Sequence, residues 1–237
     1  MKVWVVIPAY NEGYDTAGGL SASQRSLSAL LSELKTRGLS TLVIDDGSSD
    51  NTFDIVKREA HIVIKNRANL GKGMALKKAV AYLLQNESFD YIITMDADGQ
   101  HCPSDLDSFL NEAEKGASFV VGDRMGNPGG MPALRVITNK AMSWFISRIA
   151  KQKIPDTQCG FRLIKRDVLE GIRIRTNKFE IESEILIKAA RRGFFIKSIP
   201  VKSIYFKNQR SKISPFVDTI RFVRFILELD REERLNP

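Results

Sequence analysis

Short apolar runs alternate along the chain with longer stretches whose apolar positions recur every three or four residues. Lys2–Ile7, Thr41–Ile44, His61–Ile64, Tyr91–Met95 and Ala117–Gly122 each predict a strand, that of Tyr91–Met95 a buried one. Between them, Ser23–Lys35 places Leu27, Leu30, Leu31 and Leu34 at helical spacing and is stopped by Gly38. A second helix begins near Asn51, where Ser49 or Asp50 can cap it. A third follows Asn69-Leu70-Gly71-Lys72-Gly73, with Ala75, Leu76, Ala79, Val80 and Leu83 on one face. A fourth opens at Ser104, a suitable N-cap, with Asp105 and Asp107 in its first turn and Leu106, Phe109, Leu110 and Ala113 apolar. This β-α alternation predicts an α/β fold: a Rossmann-like, mostly parallel central sheet with helices on both faces.

The second half is less regular. Asp123–Leu134 is a loop without clear periodicity, and Arg135–Ala150 reads as a helix. Asp156–Arg162 leads from a loop into a strand, and Lys178 opens another helix. Phe194–Pro200 and Lys202–Phe206 read as two more strands. Pro215–Leu229 is a helix with one polar stripe, Asp218, Arg221, Arg224 and Glu228, too apolar elsewhere for a free surface.

At 237 residues and 43% hydrophobic, the chain is long enough for one sizeable α/β domain or two small ones, and is not disordered. No run is long enough to cross a membrane, and the N-terminus enters a strand directly, so neither a transmembrane helix nor a signal peptide is expected. Two cysteines, Cys102 and Cys159, supply neither a disulfide framework nor a zinc site, which makes the cytoplasm the expected compartment. Charge is divided unevenly. Residues 1–122 carry 12 Lys and Arg against 16 Asp and Glu; residues 123–237 carry 24 against 12. A half this basic suggests an anionic partner: phosphate, a membrane surface or nucleic acid. On the Arg135–Ala150 helix, Lys140, Trp144, Arg148 and Lys151 share one quarter of the circumference. That stripe suits a helix lying on an anionic bilayer, and equally an indole packed on a neighbour with snorkelling cations. Arg135, Asn139 and Ser143 form an adjacent polar row.

The candidate chemistry sits at strand ends. Tyr91–Met95 runs into Asp96-Ala97-Asp98-Gly99-Gln100-His101. Open α/β sheets bind ligands at that edge, and two carboxylates there suit Mg²⁺ or Mn²⁺ bridging to substrate phosphates. The plain alternative is two aspartates capping the next helix. Thr41–Ile44 likewise ends in Asp45-Asp46, and capping by Ser49 or Asp50 leaves Asp45 unexplained; it can accept from a base or ribose. After the first strand, Tyr10 can stack on a base and Glu12 can reach a ribose, or both are ordinary loop residues. The glycines around Lys72 open a helix N-terminus to an anion without forming a Walker loop. Glu180, Glu182 and Glu184 suit the first turn of their helix.

The segments Val-Ile-Pro-Ala-Tyr-Asn-Glu (6–12), Val-Ile-Asp-Asp-Gly-Ser-Ser-Asp (43–50), Asn-Leu-Gly-Lys-Gly (69–73), Met-Asp-Ala-Asp-Gly-Gln-His (95–101) and Gly-Phe-Arg (160–162) occur in one order across about residues 3–212. Together they resemble a family 2 glycosyltransferase of the GT-A fold. Within that family the chain is most similar to dolichol- and polyprenol-phosphate sugar synthases. The resemblance implies a GT-A domain over 1–212, with 213–237 as an amphipathic helix and tail at a membrane surface or dimer contact. It implies that Pro8, Tyr10, Glu12 and Asp45 hold the nucleoside of a GDP- or UDP-sugar, with Lys72 nearby. Asp96, Asp98 and Gln100 would surround Mg²⁺ or Mn²⁺ and the diphosphate. Arg210 and Lys212 would cover the diphosphate, and Arg124, Arg135 and Asn139 would bind the acceptor phosphate of a polyprenyl lipid. Asp98, Lys212 and Arg124 would carry the catalysis. Membrane attachment would be peripheral, at the cytoplasmic face.

A lipid phosphate, with a second pKa of about 6, arrives ionised and needs no general base. A hydroxyl acceptor on a saccharide or polymer would need one, and Asp156 is the candidate. A non-catalytic nucleotide-sugar or nucleic-acid module would not need an aspartate pair at a strand end. Nucleic acid is not an expected partner, because few aromatics lie among the cations.

Overall fold

The computed structural model describes residues 1–13, 26–178, 180–202 and 204. Its centre is a seven-stranded sheet in the order β3-β2-β1-β4-β6-β5-β7. The strands are β1 Val3–Ala9, β2 Ser40–Asp45, β3 Ile62–Lys65, β4 Tyr91–Thr94, β5 Phe119–Asp123, β6 Arg162–Lys165 and β7 Ile196–Pro200. β6 runs antiparallel to both its neighbours, β4 and β5, and every other pairing is parallel. The helices are α1 Leu27–Thr36, α2 Thr52–Glu59, α3 Lys72–Asn86, α4 Leu106–Glu114, α5 Ala133–Ala150, α6 Arg166–Gly171 and α7 Glu180–Arg191. This is an α/β fold with a mostly parallel central sheet, as the strand and helix pattern predicts.

Central strands buried on both faces should be apolar at every position rather than at alternate ones. Accordingly Val5, Val6, Ile7, Leu42, Val43, Ile44, Ile92 and Ile93 have no exposed surface. α1 packs on α2 and β2, α3 packs on β1, β2 and α7, and α7 packs on α5. Leu27, Leu30, Leu31 and Leu34 are buried as their spacing predicts, and Ser26 caps α1 by accepting from the Ala29 N–H at 3.2 Å.

Three local expectations are corrected. β1 does not stop before Pro8 but runs on to Ala9, paired with Asp45. Strand alternation turns Pro8 toward β4, whose ladder has already ended at the Val6–Thr94 pair, so its missing N–H costs no sheet bond. Ser104 is not an N-cap: Pro103–Asp105 form a 3₁₀ turn, and the Ser104 hydroxyl lies 3.1 Å from Cys102 Sγ. Proline at the start of that turn, with its fixed φ, favours it over a capped helix entry. The short α6 had no periodic signal of its own. Lys202 and Ile204 belong to no strand; Ser203, Tyr205 and Phe206 of that expected strand, and the expected Pro215–Leu229 helix, lie outside the described residues.

The core continues under the carboxyl edge of the sheet as a stack of rings. Phe109 of α4 lies 4.2 Å from Phe161, and Phe161 lies 5.0 Å from His101. Phe109 and Phe161 are wholly buried. Phe109→Ala should cost about 3–5 kcal/mol through lost burial and an unfilled cavity. Urea denaturation checks this; an unchanged midpoint and slope would contradict it.

Candidate active site

Parallel strands bring their ends to one edge. β1 delivers Tyr10–Glu12 there, β2 delivers Asp45 and Asp46, β4 delivers Asp96–His101, and β5 delivers Asp123 and Arg124. β6, running the other way, begins at that edge, so Asp156–Phe161 arrive at it before their strand.

Asp45 and Asp46 diverge in role. Asp45 is fully buried; its Oδ1 accepts from Ser48 N–H at 3.0 Å, while Oδ2 accepts no hydrogen bond and has Lys65 Nζ at 3.9 Å. A buried carboxylate oxygen without a donor is costly unless something supplies one. Asp46 is saturated. It accepts from Asn66 Nδ2 at 2.7 Å, Leu70 N–H at 3.0 Å and Gly71 N–H at 2.7 Å, and Lys78 Nζ holds Asn66 from behind at 2.6 Å. Gly71, at φ +92°, makes the entry to α3 that this carboxylate fastens. Asn51, not Ser49 or Asp50, is the N-cap of α2, and it makes no side-chain cap bond; Asp50 accepts from Thr52 N–H at 3.0 Å and from Gly13 N–H at 2.9 Å. With the Glu12 N–H to Thr52 Oγ1 bond at 2.9 Å, this ties the Tyr10–Glu12 loop to the end of β2.

The entry to α3 places Lys72 in the middle of the edge. Its Nζ lies 2.6 Å from Asp96 Oδ1 and 3.2 Å from Glu182 Oε1. Burial by itself would lower the lysine and raise the aspartate. Their mutual attraction outweighs it, so Lys72 is raised and Asp96 falls to about 2; both are charged at neutral pH. Gly160 forms the wall. A Cβ there would lie 2.9 Å from Lys72 Nζ, 3.0 Å from Asp96 Oδ2 and 3.2 Å from Glu182 Oε1. His101 accepts the Asp96 N–H on Nδ1 at 3.1 Å, and burial pushes its ring down to about 4, so it is neutral. Asp98 Oδ1 accepts from Gln100 N–H at 3.0 Å. Ile204 N–H donates to the Gln100 carbonyl at 3.1 Å and brings the late chain to this loop.

Across the edge, Arg124 and Asp156 form a buried two-pronged pair, Nε to Oδ2 at 2.7 Å and Nη2 to Oδ1 at 3.0 Å. Asp156 also accepts the backbone N–H groups of Arg124 and Gln158. The Arg124 charge is felt at Asp96 and His101, lowering both, so the two clusters share one field. Ser143 of α5 accepts from Thr157 N–H at 2.9 Å and binds that helix to the loop. Arg135 and Asn139 are half-buried on the same helix, and Asn139 Nδ2 lies 3.8 Å from Met131 Sδ. Arg162 is buried and donates to the carbonyls of Cys159, Glu182 and Thr157. It is the framework of the Gly-Phe-Arg segment.

Of the expected site residues, the structure gathers Asp45, Lys72, Asp96, Asp98, Gln100 and Arg124 at one edge, with Pro8, Tyr10 and Glu12 beside Asp45. Arg210 and Lys212 lie outside the described residues. Two site neighbours were missed. Glu182, taken for a dipole partner, reaches Lys72. Glu184, 1% exposed, accepts from Arg175 N–H, Thr176 N–H and Lys188 and anchors the segment before α7. Residues two apart on a helix point about 200° apart, so three acids at that spacing cannot all face water; that was the available signal. Among the described residues, no three His, Cys, Asp or Glu side chains are grouped to hold a metal ion. Two carboxylates and an amide oxygen nevertheless fit the donor chemistry of a divalent ion that keeps water and substrate oxygens.

The chain belongs to glycosyl transferase family 2, whose profile matches residues 4–173. It is therefore a glycosyltransferase. It is 29% identical over 234 residues to the UDP-N-acetylglucosamine–dolichyl-phosphate N-acetylglucosaminyltransferase of Methanococcus voltae, covering 86% of each chain. It is 27% identical over 235 residues to the dolichyl-phosphate hexose transferase of Haloferax volcanii, covering 98% of this chain and 95% of that one. In fold it is similar to glucosyl-3-phosphoglycerate synthase of Mycobacterium tuberculosis, solved with Mn²⁺ and UDP-glucose. That match has a TM-score of 0.65 and 19% identity, covering 88% of this chain and 72% of that one.

Asp46→Ala should remove three hydrogen bonds from the α3 entry and cost about 2–3 kcal/mol. Amide hydrogen exchange at Leu70 and Gly71 should accelerate well beyond that of β1; unchanged protection at both would rule out the fastening role.

Proposed function

We propose that the protein transfers a sugar, with inversion, from a GDP- or UDP-sugar to the phosphate of a polyprenyl or dolichyl lipid. The carrying observation is the pairing of Asp156 with Arg124. The one carboxylate suited to deprotonating a hydroxyl has both oxygens engaged by a guanidinium and two amides. An oriented cation, rather than a poised base, favours an acceptor that arrives ionised. Relatives named for dolichyl phosphate support the same choice. The hydroxyl-acceptor alternative loses its base.

In this reading the unsatisfied Asp45 oxygen accepts a hydrogen bond from the base or ribose, and Tyr10, Glu12 and Pro8 frame that nucleoside. Lys72 holds Asp96 ionised and in place. A divalent ion, Mg²⁺ or Mn²⁺, bound by Asp96, Asp98 and Gln100 would supply charge neutralisation for the diphosphate. Arg210 and Lys212, which lie outside the described residues, add cations to the leaving group. Arg124, with Arg135 and Asn139 from α5, orients the acceptor phosphate opposite that leaving group. Attack from there inverts the anomeric carbon. Catalysis is positioning and fixed charge, without proton abstraction.

Asp98→Ala should abolish transfer, by at least about a thousandfold if a main electrostatic contact is lost, while leaving thermal unfolding unchanged. The assay is label passing from nucleotide sugar into organic-extractable polyprenyl phosphate. Full turnover by this variant removes Asp98 from the site. Label appearing only on added soluble saccharides refutes the lipid acceptor.

A further inference from the structure

Among the described residues, seven large apolar side chains stand exposed, and four of them are on α5: Leu134 at 74%, Ile137 at 64%, Trp144 at 66% and Phe145 at 39%. At 100° per residue these four, with Ala141, fall on one arc, opposite Ser143, Ile146 and Ala150, which are buried. A fifth, Phe195 at 72%, is held just beyond the end of α5. Gln152 donates to the Phe194 carbonyl at 2.8 Å and accepts from Ile196 N–H at 2.9 Å. A small exposed apolar residue is ordinary; an indole, a phenyl and two branched aliphatics in one row are not.

The charge around the row is one-sided. From residue 124 to residue 155 there is no Asp or Glu, against six cations: Arg124, Arg135, Lys140, Arg148, Lys151 and Lys153. Lys140 and Lys151 edge the row, and the Arg148 guanidinium lies 5.8 Å from the Trp144 ring centre. An apolar row whose neighbouring charges along the segment are all cationic, with an indole beside them, matches an anionic bilayer surface, where rings and methyls enter the acyl boundary and cations meet head groups. A packed protein partner would have to bury or match those cations.

We infer that the outer face of α5, with Phe195, docks the protein on an anionic lipid surface. The inference stands on that face; combined with the lipid-phosphate reading, it names where the acceptor comes from. The row faces out while Arg135 and Asn139 face the body. One 18-residue helix, about 27 Å long, thus presents the apolar row on one side and is tied on the other, through Ser143, to Thr157 in the loop that pairs with Arg124.

The test is flotation of the full chain with vesicles of phosphatidylcholine and phosphatidylglycerol in equal parts, against phosphatidylcholine alone. Wild type should float with the anionic vesicles and be released by high salt. Ile137→Asp/Trp144→Asp should bind at least about tenfold more weakly, with unchanged thermal unfolding because both positions are exposed. Trp144 emission should shift to the blue on vesicle binding, over a constant background from buried Trp4. The double variant should keep its turnover on a water-soluble, short-chain isoprenyl phosphate and lose it on vesicle-embedded polyprenyl phosphate. Wild type that ignores anionic vesicles, or a variant that binds them equally, overturns the inference. So does Trp144 already shielded from acrylamide without vesicles, which would mean that residues 213–237 or a second copy cover the face. If wild type turns over no isoprenyl phosphate at all, the acceptor assignment fails while flotation still decides the docking face.

Discussion

The Lys72 ammonium lodged between Asp96 and Glu182 is the contact on which the site depends. It joins three elements with no sequence proximity: the start of α3, the end of β4 and the first turn of α7. Removing charges from water is expensive, and a largely buried pair persists only where geometry and further hydrogen bonds are good. Here Asp46 fixes the α3 entry and Arg162 fixes the turn that carries Glu182. Gly160 leaves the space into which the ammonium fits. The carboxylate edge is thus held charged and aimed before any substrate arrives.

A second tier of polar residues does this positioning. Asp46, Asp50, Asp156, Arg162 and Glu184 each bond backbone groups of loops, and the four acids among them hold side chains as well. Those loops have no ladder of their own, so a side chain must satisfy their N–H and carbonyl groups. The rigid scaffold and the reactive edge are therefore linked through single side chains, and losing one frees a segment rather than a contact.

Much of the fold could be read from the pattern. The apolar runs Val3–Ile7, Leu42–Ile44 and Tyr91–Ile93 announced central parallel strands, and Leu27, Leu30, Leu31 and Leu34 announced a helix. The clustering of strand-end acids followed, because parallel strands share an edge. What escaped was long-range pairing. Nothing local in Arg162–Lys165 shows that it reverses direction and enters between β4 and β5. Glu182 looked like a dipole partner because its lysine is more than a hundred residues away in sequence. Asp45 and Asp46 are chemically identical neighbours, and only their burial environments separate a saturated fastener from an open acceptor.

The reversal of β6 has a further consequence. The chain leaves the sheet at Asp123 and re-enters at Arg162 on the same edge, so everything between is one excursion with both feet fixed. Closure entropy grows only slowly with the length of such an excursion. A longer, shorter or differently shaped version could be exchanged without breaking the ladder or disturbing the Asp45 side. The architecture is that of a socket and a cassette: one wall constant, the other free to vary in length and shape.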